Sequence, residues 1–255
     1  MLVPELLRNW SALRRLPRPS LALQHRRLYT SRSVFTRDVE ESSTATPPST
    51  VNGLLYPDPP TTAHHDLPSF LEHAERMGMT DKTPTFIGTH FEYTAIASLS
   101  DYGFHLRRIG GQSDLGIDLI GTWAVPSSPQ RPLRVLVQCK ASPKSGPGHI
   151  RELEGAFNGA PAGWRGSNVL AFLVTNRRAT QGTMEALRRS RWPMGYISCT
   201  RLGHIEQIVW NRRAEDEGLH EMGIGLRHSL GQDEEQLVLT FKGKHLPFPF
   251  GEEAS

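Results

Sequence analysis

The sequence is poor in cysteine, lacks any long apolar run, and distributes its charge unevenly. Of 255 residues only Cys139 and Cys199 are cysteines, each in a strand-like apolar stretch and not in a ligand-spaced pair. Neither a disulfide framework nor a cysteine zinc site is expected, and both thiols are read as small buried apolar groups. The longest apolar run, Val169 to Val174, falls far short of the ~20 residues that cross a bilayer, so no membrane span is expected. Lysine does not occur before Lys82, and residues 1–37 set one acid, Glu5, against eight arginines.

An arginine-rich, serine-bearing, acid-poor start has the composition of a mitochondrial transit peptide. Leu6, Leu7, Trp10, Leu13 and Leu16 recur at helical spacing between arginines, an amphipathic basic helix of the kind importers read. Arg27-Leu28-Tyr29 before Thr30 resembles a matrix-processing site, so residues 1–29 are taken as the leader and the protein as one of the mitochondrial matrix. The competing reading is a basic arm that touches nucleic acid or lipid. Taking residues 1–29 away removes six arginines and Glu5. The formal balance of 29 basic against 26 acidic residues becomes 23 against 25, so any nucleic-acid contact has to be a local basic patch.

Residues 30–82 are rich in Pro, Ser and Thr and read mostly as linker. A short helix from Ser69 to Met77 fits there, with Ser69 as N-cap. The pair His64-His65 reads as solvated.

A domain is expected over residues 83–246, with an irregular tail at 247–255. A helical stripe of Phe91, Ala95, Ile96 and Leu99 comes first, then strands at Phe104–Ile109, around Asp118, and at Arg134–Lys140. Helices at His149–Phe157 and Thr180–Arg191 alternate with apolar strands at Asn168–Thr175 and Gly195–Cys199. A helix from Leu202 to Arg213 and a closing hairpin at Met222–Leu226 and Leu237–Phe241 complete the series. This order gives an α/β fold, a mixed sheet with helices on both faces.

Chemistry is expected around Asp118 and the strand that ends at Lys140. Period-2 alternation puts Leu136, Gln138 and Lys140 on one face of that strand, and a lysine is rarely buried unless paired. Phosphodiester hydrolysis needs a cation on the phosphate, an activated water and a positive group beside it. Asp118, Gln138 and the carbonyl of Cys139 offer oxygen ligands that suit Mg²⁺, and Lys140 supplies the positive group. Bland readings stand beside these. Glu92 can pair with Arg107 or Arg108, and Asp118 with Lys140 can form a buried ion pair that only fixes the hairpin.

Phe91-Glu92 on a helix, Gly110-Gly111-Gln112-Ser113-Asp114-Leu115-Gly116-Ile117-Asp118-Leu119, and Val137-Gln138-Cys139-Lys140 together resemble the PD-(D/E)xK nuclease superfamily. The similarity is greatest to its Mrr-like restriction endonuclease branch, in which Gln stands for the acid before the Lys. Arg151-Glu152-Leu153-Glu154-Gly155-Ala156 resembles the helix after the lysine strand in that branch. With the leader, the whole chain resembles the fungal "required for respiratory growth protein 7" family. The resemblance implies a restriction-endonuclease-like sheet, Mg²⁺-dependent cleavage of DNA, and support of the mitochondrial genome and respiratory growth. It makes Asp118 the principal metal ligand, Gln138 a neutral partner, Lys140 the catalytic lysine, and Glu92 a residue that binds or orients a metal-bound water. Asp114 occupies a turn position where the branch often carries an acid, with a local Asx-turn as the alternative reading, and homodimers are common in this fold. Lys144 and the outward Arg188, Arg189 and Arg191 are candidate phosphate contacts. Because the Gln138 amide carries no negative charge, one-metal chemistry or binding without cleavage is the alternative.

Overall fold

The architecture follows from two apolar cores that sandwich one sheet. A computed structural model describes residues 50–51, 54–57, 59–110, 116–142, 145–228 and 235–250. The leader expected over residues 1–29, Asp114 and Lys144 lie outside the described residues. None of the described helices is long and apolar enough to cross a membrane.

Strands β1 (Thr50–Val51) and β2 (Leu54–Leu55) form a small antiparallel ladder. Helix α1 (Leu67–Arg76) follows, and its cap lies three residues upstream of the expected Ser69. Asp66 accepts the Ser69 amide at 2.9 Å while the Ser69 hydroxyl accepts the Asp66 amide at 3.1 Å. An aspartate caps at least as well as a serine, and Pro68 is tolerated in the first turn because it has no N–H to lose there. α1 buries Leu67, Phe70 and Ala74. The approach to it is not simply linker. Tyr56 packs edge-on against Trp164, and His64 rests against Phe70, His73 and Tyr93. Only His65 of the histidine pair is solvated as read, with its side chain 84% exposed.

Helix α2 (Pro84–Ser100), capped by the Thr83 hydroxyl, lays Phe91, Ala95 and Leu99 on the sheet. Strands β3 (Phe104–Arg108), β4 (Leu119–Trp123) and β5 (Leu133–Lys140) form an antiparallel meander. Helix α3 (Pro147–Gly159) then crosses to β6 (Val169–Thr175), and α4 (Gln181–Arg189) crosses to β7 (Met194–Cys199), with both strand pairs parallel. β8 (Ile205–Trp210) returns antiparallel and completes the order β3-β4-β5-β6-β7-β8. The result is a mixed six-stranded sheet in an α/β fold.

β8 replaces most of the helix expected from Leu202 to Arg213. Leu202, Ile205 and Val209 do repeat at helical spacing, but Ile205, Ile208, Val209 and Trp210 are β-branched or aromatic residues that suit a pleated surface. A tight hairpin decides the matter. The Thr200 amide donates to the His204 carbonyl at 2.8 Å, and Gly203 supplies the required φ of 90°. Helical structure is left only to α5 (Arg212–Ala214) and the wide turn Glu215–Leu219. The closing hairpin forms as expected from β9 (Met222–His228) and β10 (Glu235–Phe241), with the short β11 (Lys244–His245) on its edge.

Side-chain alternation separates the cores. Val135 and Val137 of β5 join Phe91, Leu99, Trp123 and Phe172 on the α2 face, where Met222 and Leu239 of the hairpin also pack. Leu136 joins Ile150, Leu153, Phe157 and Tyr196 on the α3 and α4 face. The four residues expected to point inward from α3, Ile150, Leu153, Ala156 and Phe157, are the four that it buries.

Candidate functional site

The candidate residues lie where β3, β4 and β5 meet. The antiparallel ladder between β4 and β5 ends at Leu119 opposite Val137. One residue earlier the chain of Asp118 is tied on every side. Its amide donates to the Val137 carbonyl at 2.9 Å, and its carbonyl accepts from Ile109 and Gly110 at 2.8 Å each. Its Oδ2 accepts the Cys139 amide at 2.6 Å. The carboxylate thus takes the place of a backbone acceptor and fixes Asp118 beside the last turn of the β5 pleat. Gly110 makes room for it, since a Cβ there would stand 3.2 Å from Asp118 Oδ1.

Gln138 and Lys140 project to the α3 side, as the alternation requires. Gln138 is 3% exposed, and its Oε1 is buried with no hydrogen-bond partner. Gly116 covers the amide closely, for a Cβ on it would meet Gln138 Nε2 at 3.1 Å. Lys140 Nζ lies 3.3 Å from Glu152 Oε2, a pair whose side chains are 35% and 52% exposed. Sequence reasoning missed Glu152 as this partner. The signal was available, since Glu152 lies in the first turns of the helix that directly follows Lys140. An exposed pair of this kind is worth roughly 0–1 kcal/mol, too little to keep Lys140 from an incoming phosphate.

Glu92 sits on the other face. It pairs closely with Arg108 Nε from β3, and both side chains are more than four-fifths buried. This is the bland role considered for Glu92. The same face holds the Cys139 thiol, which burial pushes well above its ordinary range, with the Asp118 and Glu92 carboxylates adding to the shift. Cys199 is likewise raised, to about 12, first by burial. Both cysteines are free; Cys199 is buried as expected, while Cys139 is half-buried at the edge of the α2-face core.

The remaining candidates are not brought together with these. α4 runs from the Thr175 end of β6 back to the Met194 end of β7, so its last turn lies at the opposite end of the sheet from Lys140. A seven-residue strand spans roughly 20 Å. Arg188 and Arg189 are therefore remote from Gln138, and Arg189 is engaged by Glu185 at 2.5 Å. At the Lys140 end stands a polar network that the sequence did not reveal. The Tyr196 hydroxyl meets Ser145 Oγ at 2.9 Å and Thr175 Oγ1 at 2.7 Å, and it donates to the Arg177 carbonyl. His149 Nδ1 and Asn176 Oδ1 nearby in the chain are also buried without partners.

Oxygen ligands available to a hard cation are the Asp118 carboxylate, the unpartnered Gln138 Oε1 and the Cys139 carbonyl. One carboxylate with two neutral oxygens fits a single weakly held Mg²⁺ and not a two-metal cluster. Among the described residues no three His, Cys, Asp or Glu side chains group to hold a metal.

Comparison with known proteins agrees with the mitochondrial reading. An uncharacterized mitochondrial protein of Schizosaccharomyces pombe is 31% identical over 158 residues, which cover 60% of this chain and 62% of that relative. The chain therefore spans less than two thirds of that protein's length. Required for respiratory growth protein 7 of Saccharomyces cerevisiae, also named as mitochondrial, is 24% identical over 188 residues, covering 55% of this chain and 78% of the relative. No solved structure matches the chain. The chain is a mitochondrial protein, and with residues 83–131 and 126–225 matching the family profile it belongs to the required for respiratory growth protein 7 family.

Proposed function

We propose that this protein is a Mg²⁺-dependent nuclease that hydrolyses phosphodiester bonds of DNA in mitochondria and so supports genome maintenance and respiratory growth. The observation that carries the reading is Gln138 Oε1, a buried acceptor left without a partner between Asp118 and Lys140. Leaving such an atom unsatisfied costs about 1–3 kcal/mol, a cost that a bound cation would remove. Asp118, held by the Cys139 amide, would be the charged ligand, with Gln138 and the Cys139 carbonyl as neutral ones. Mg²⁺, when bound, would supply charge neutralisation on the scissile phosphate. Lys140 would exchange Glu152 for the phosphate and stabilise the charge that develops on it. The resemblance to the Mrr-like branch of the PD-(D/E)xK superfamily supports a restriction-endonuclease-like arrangement of this sheet, and a homodimer would let two such sites cut two strands. Lys144 and Arg188 or Arg189 would then contact strand phosphates away from the cut.

The test is cleavage of plasmid and linear DNA by the purified chain with Mg²⁺ and with EDTA. Lys140→Ala should lower the rate by on the order of 10²–10³. Equal trace activity in wild type and variant rejects the proposal. A second reading, strand binding without cleavage, is favoured by the Glu92–Arg108 pair, which occupies the acid expected to orient a water. Salt-dependent DNA binding that survives Lys140→Ala, with no cleavage by either protein, would select it.

A further inference from the structure

Away from the sheet end, a groove of about 420 Å³ opens between the segment Pro57–His65, α2 and the edge strand β3. Its size falls within the ~300–1,000 Å³ of clefts that take small ligands. Its lining includes apolar Pro57, Pro59, Ile96 and Leu106 together with Arg107, Arg108, His64 and the hydroxyl-bearing Thr61 and Thr62, and no carboxylate occurs among the described lining residues.

The cations here are not equivalent. Arg108 faces Glu92 and is already neutralised. The Arg107 guanidinium carbon stands over the Tyr56 ring, 4.4 Å from its centroid, and Arg107 has no acidic partner among the described salt bridges. A cation–π contact of this sort uses the face of the guanidinium and leaves its N–H edges to bind an anion. His64 is set by Tyr93. The Tyr93 hydroxyl is 3.2 Å from the His64 carbonyl and 2.8 Å from His64 Nδ1. Both contacts are hydrogen bonds only when the hydroxyl donates to the carbonyl and Nδ1–H donates to the hydroxyl, which leaves Nε2 to take up a proton. Burial, Arg108, His73 and His65 all hold His64 below its ordinary range. The acids on the adjoining elements are Asp66, which caps α1, Glu72 and Glu75 on α1 itself, and Glu92, paired with Arg108. Arg107 is the arginine of the described lining that no carboxylate offsets among the described salt bridges, and an entering anion would favour a proton on His64.

We infer that this groove binds a phosphate monoester, carried by a free nucleotide or by the 5′ end of a nucleic-acid strand, with Arg107 gripping the phosphate and His64 Nε2 donating to it. Two cationic groups beside hydroxyls suit a dianionic head, and the proline and isoleucine residues of the same lining suit the less polar body that carries it. The site is independent of the hydrolase reading, because it uses neither Asp118 nor Lys140.

Calorimetry on the whole chain in EDTA tests it with 5′-AMP against adenosine, and with a 5′-phosphorylated oligothymidine against its 5′-hydroxyl form. The phosphorylated member of at least one pair should bind roughly tenfold more tightly, and Arg107→Ala should remove that difference. Preference for AMP alone identifies a nucleotide site, and preference for the phosphorylated strand identifies an end-binding site. In wild type, the His64 imidazole followed by NMR should titrate at a higher pH once the preferred phosphorylated ligand, AMP or the 5′-phosphorylated oligothymidine, is bound, a readout that needs no variant. Equal affinity within both pairs, or a His64 titration unmoved when that ligand is saturating, overturns the inference.

Discussion

β5 and β6 lie side by side, parallel and in register, yet they end differently. β6 is buried at all seven positions and reads Val-Leu-Ala-Phe-Leu-Val-Thr. β5, after Arg134 near its start, matches it from Val135 to Val137 and then turns polar, with Gln138 sealed in and Lys140 a third exposed. A strand that only fills a core has no reason to finish this way, since each buried polar group has to recover its lost hydration from a partner. The difference marks the end of β5 as the place where stability has been given up, and β6 as the control that shows what the same position looks like without that demand.

That contrast can be broken by experiment. The largest effect should come from the apolar control. Phe172→Ala in β6 removes a ring that touches Phe104 and Trp123 and should cost about 3–5 kcal/mol in chemical denaturation. A loss below 1 kcal/mol would mean that the α2-face core does not rest on β6. Glu92→Ala, which strands Arg108 in a mostly buried pocket, should come next at about 3 kcal/mol, with Glu92→Gln milder. Asp118→Ala should cost roughly 1–3 kcal/mol, because it leaves the Cys139 amide without its acceptor. Asp118→Asn, which keeps an oxygen there, should recover most of that while cleavage stays lost.

Making β5 resemble β6 sharpens the comparison. Gln138→Leu should hold or raise stability by about 1 kcal/mol, since it deletes the unpartnered Oε1, and should abolish the proposed cleavage. A clear loss of stability would show that the amide is structurally satisfied. The smallest effect is expected from pH on the thiols. Cys199 is raised by burial from 9.0 to about 12, so the unfolded chain ionises first. Its contribution is complete below pH 9 and disappears as pH rises towards 12. Thiol labelling at pH 8 should accordingly follow global unfolding, and rapid labelling of the native protein would contradict the burial described.

The candidate site was legible as residue types but only partly as geometry. The alternation in β5 fixed the side to which Gln138 and Lys140 project, because period 2 is local. It could not say that Lys140 meets Glu152, nor that Asp118 binds a backbone amide and not the lysine. Arg188 and Arg189 carried the right chemistry for phosphate contacts, yet the direction of α4 takes them to the far end of the sheet. His64 read as solvated from a Pro-rich context, and its burial against Tyr93 depends on where a distant helix passes.

By itself the sequence determined the apolar β6, the inward stripe of α3, the order of helices and strands from α1 through β7, and the pairing of β9 with β10. In each case the signal lies within one element, where spacing along the chain is spacing in space. Only the tertiary structure decided that Ile205–Trp210 is a strand, that Glu92 closes on Arg108, and that the Asp118 carboxylate ends a ladder. Each of these depends on a partner from another element, and a partner's position follows from how the whole chain packs.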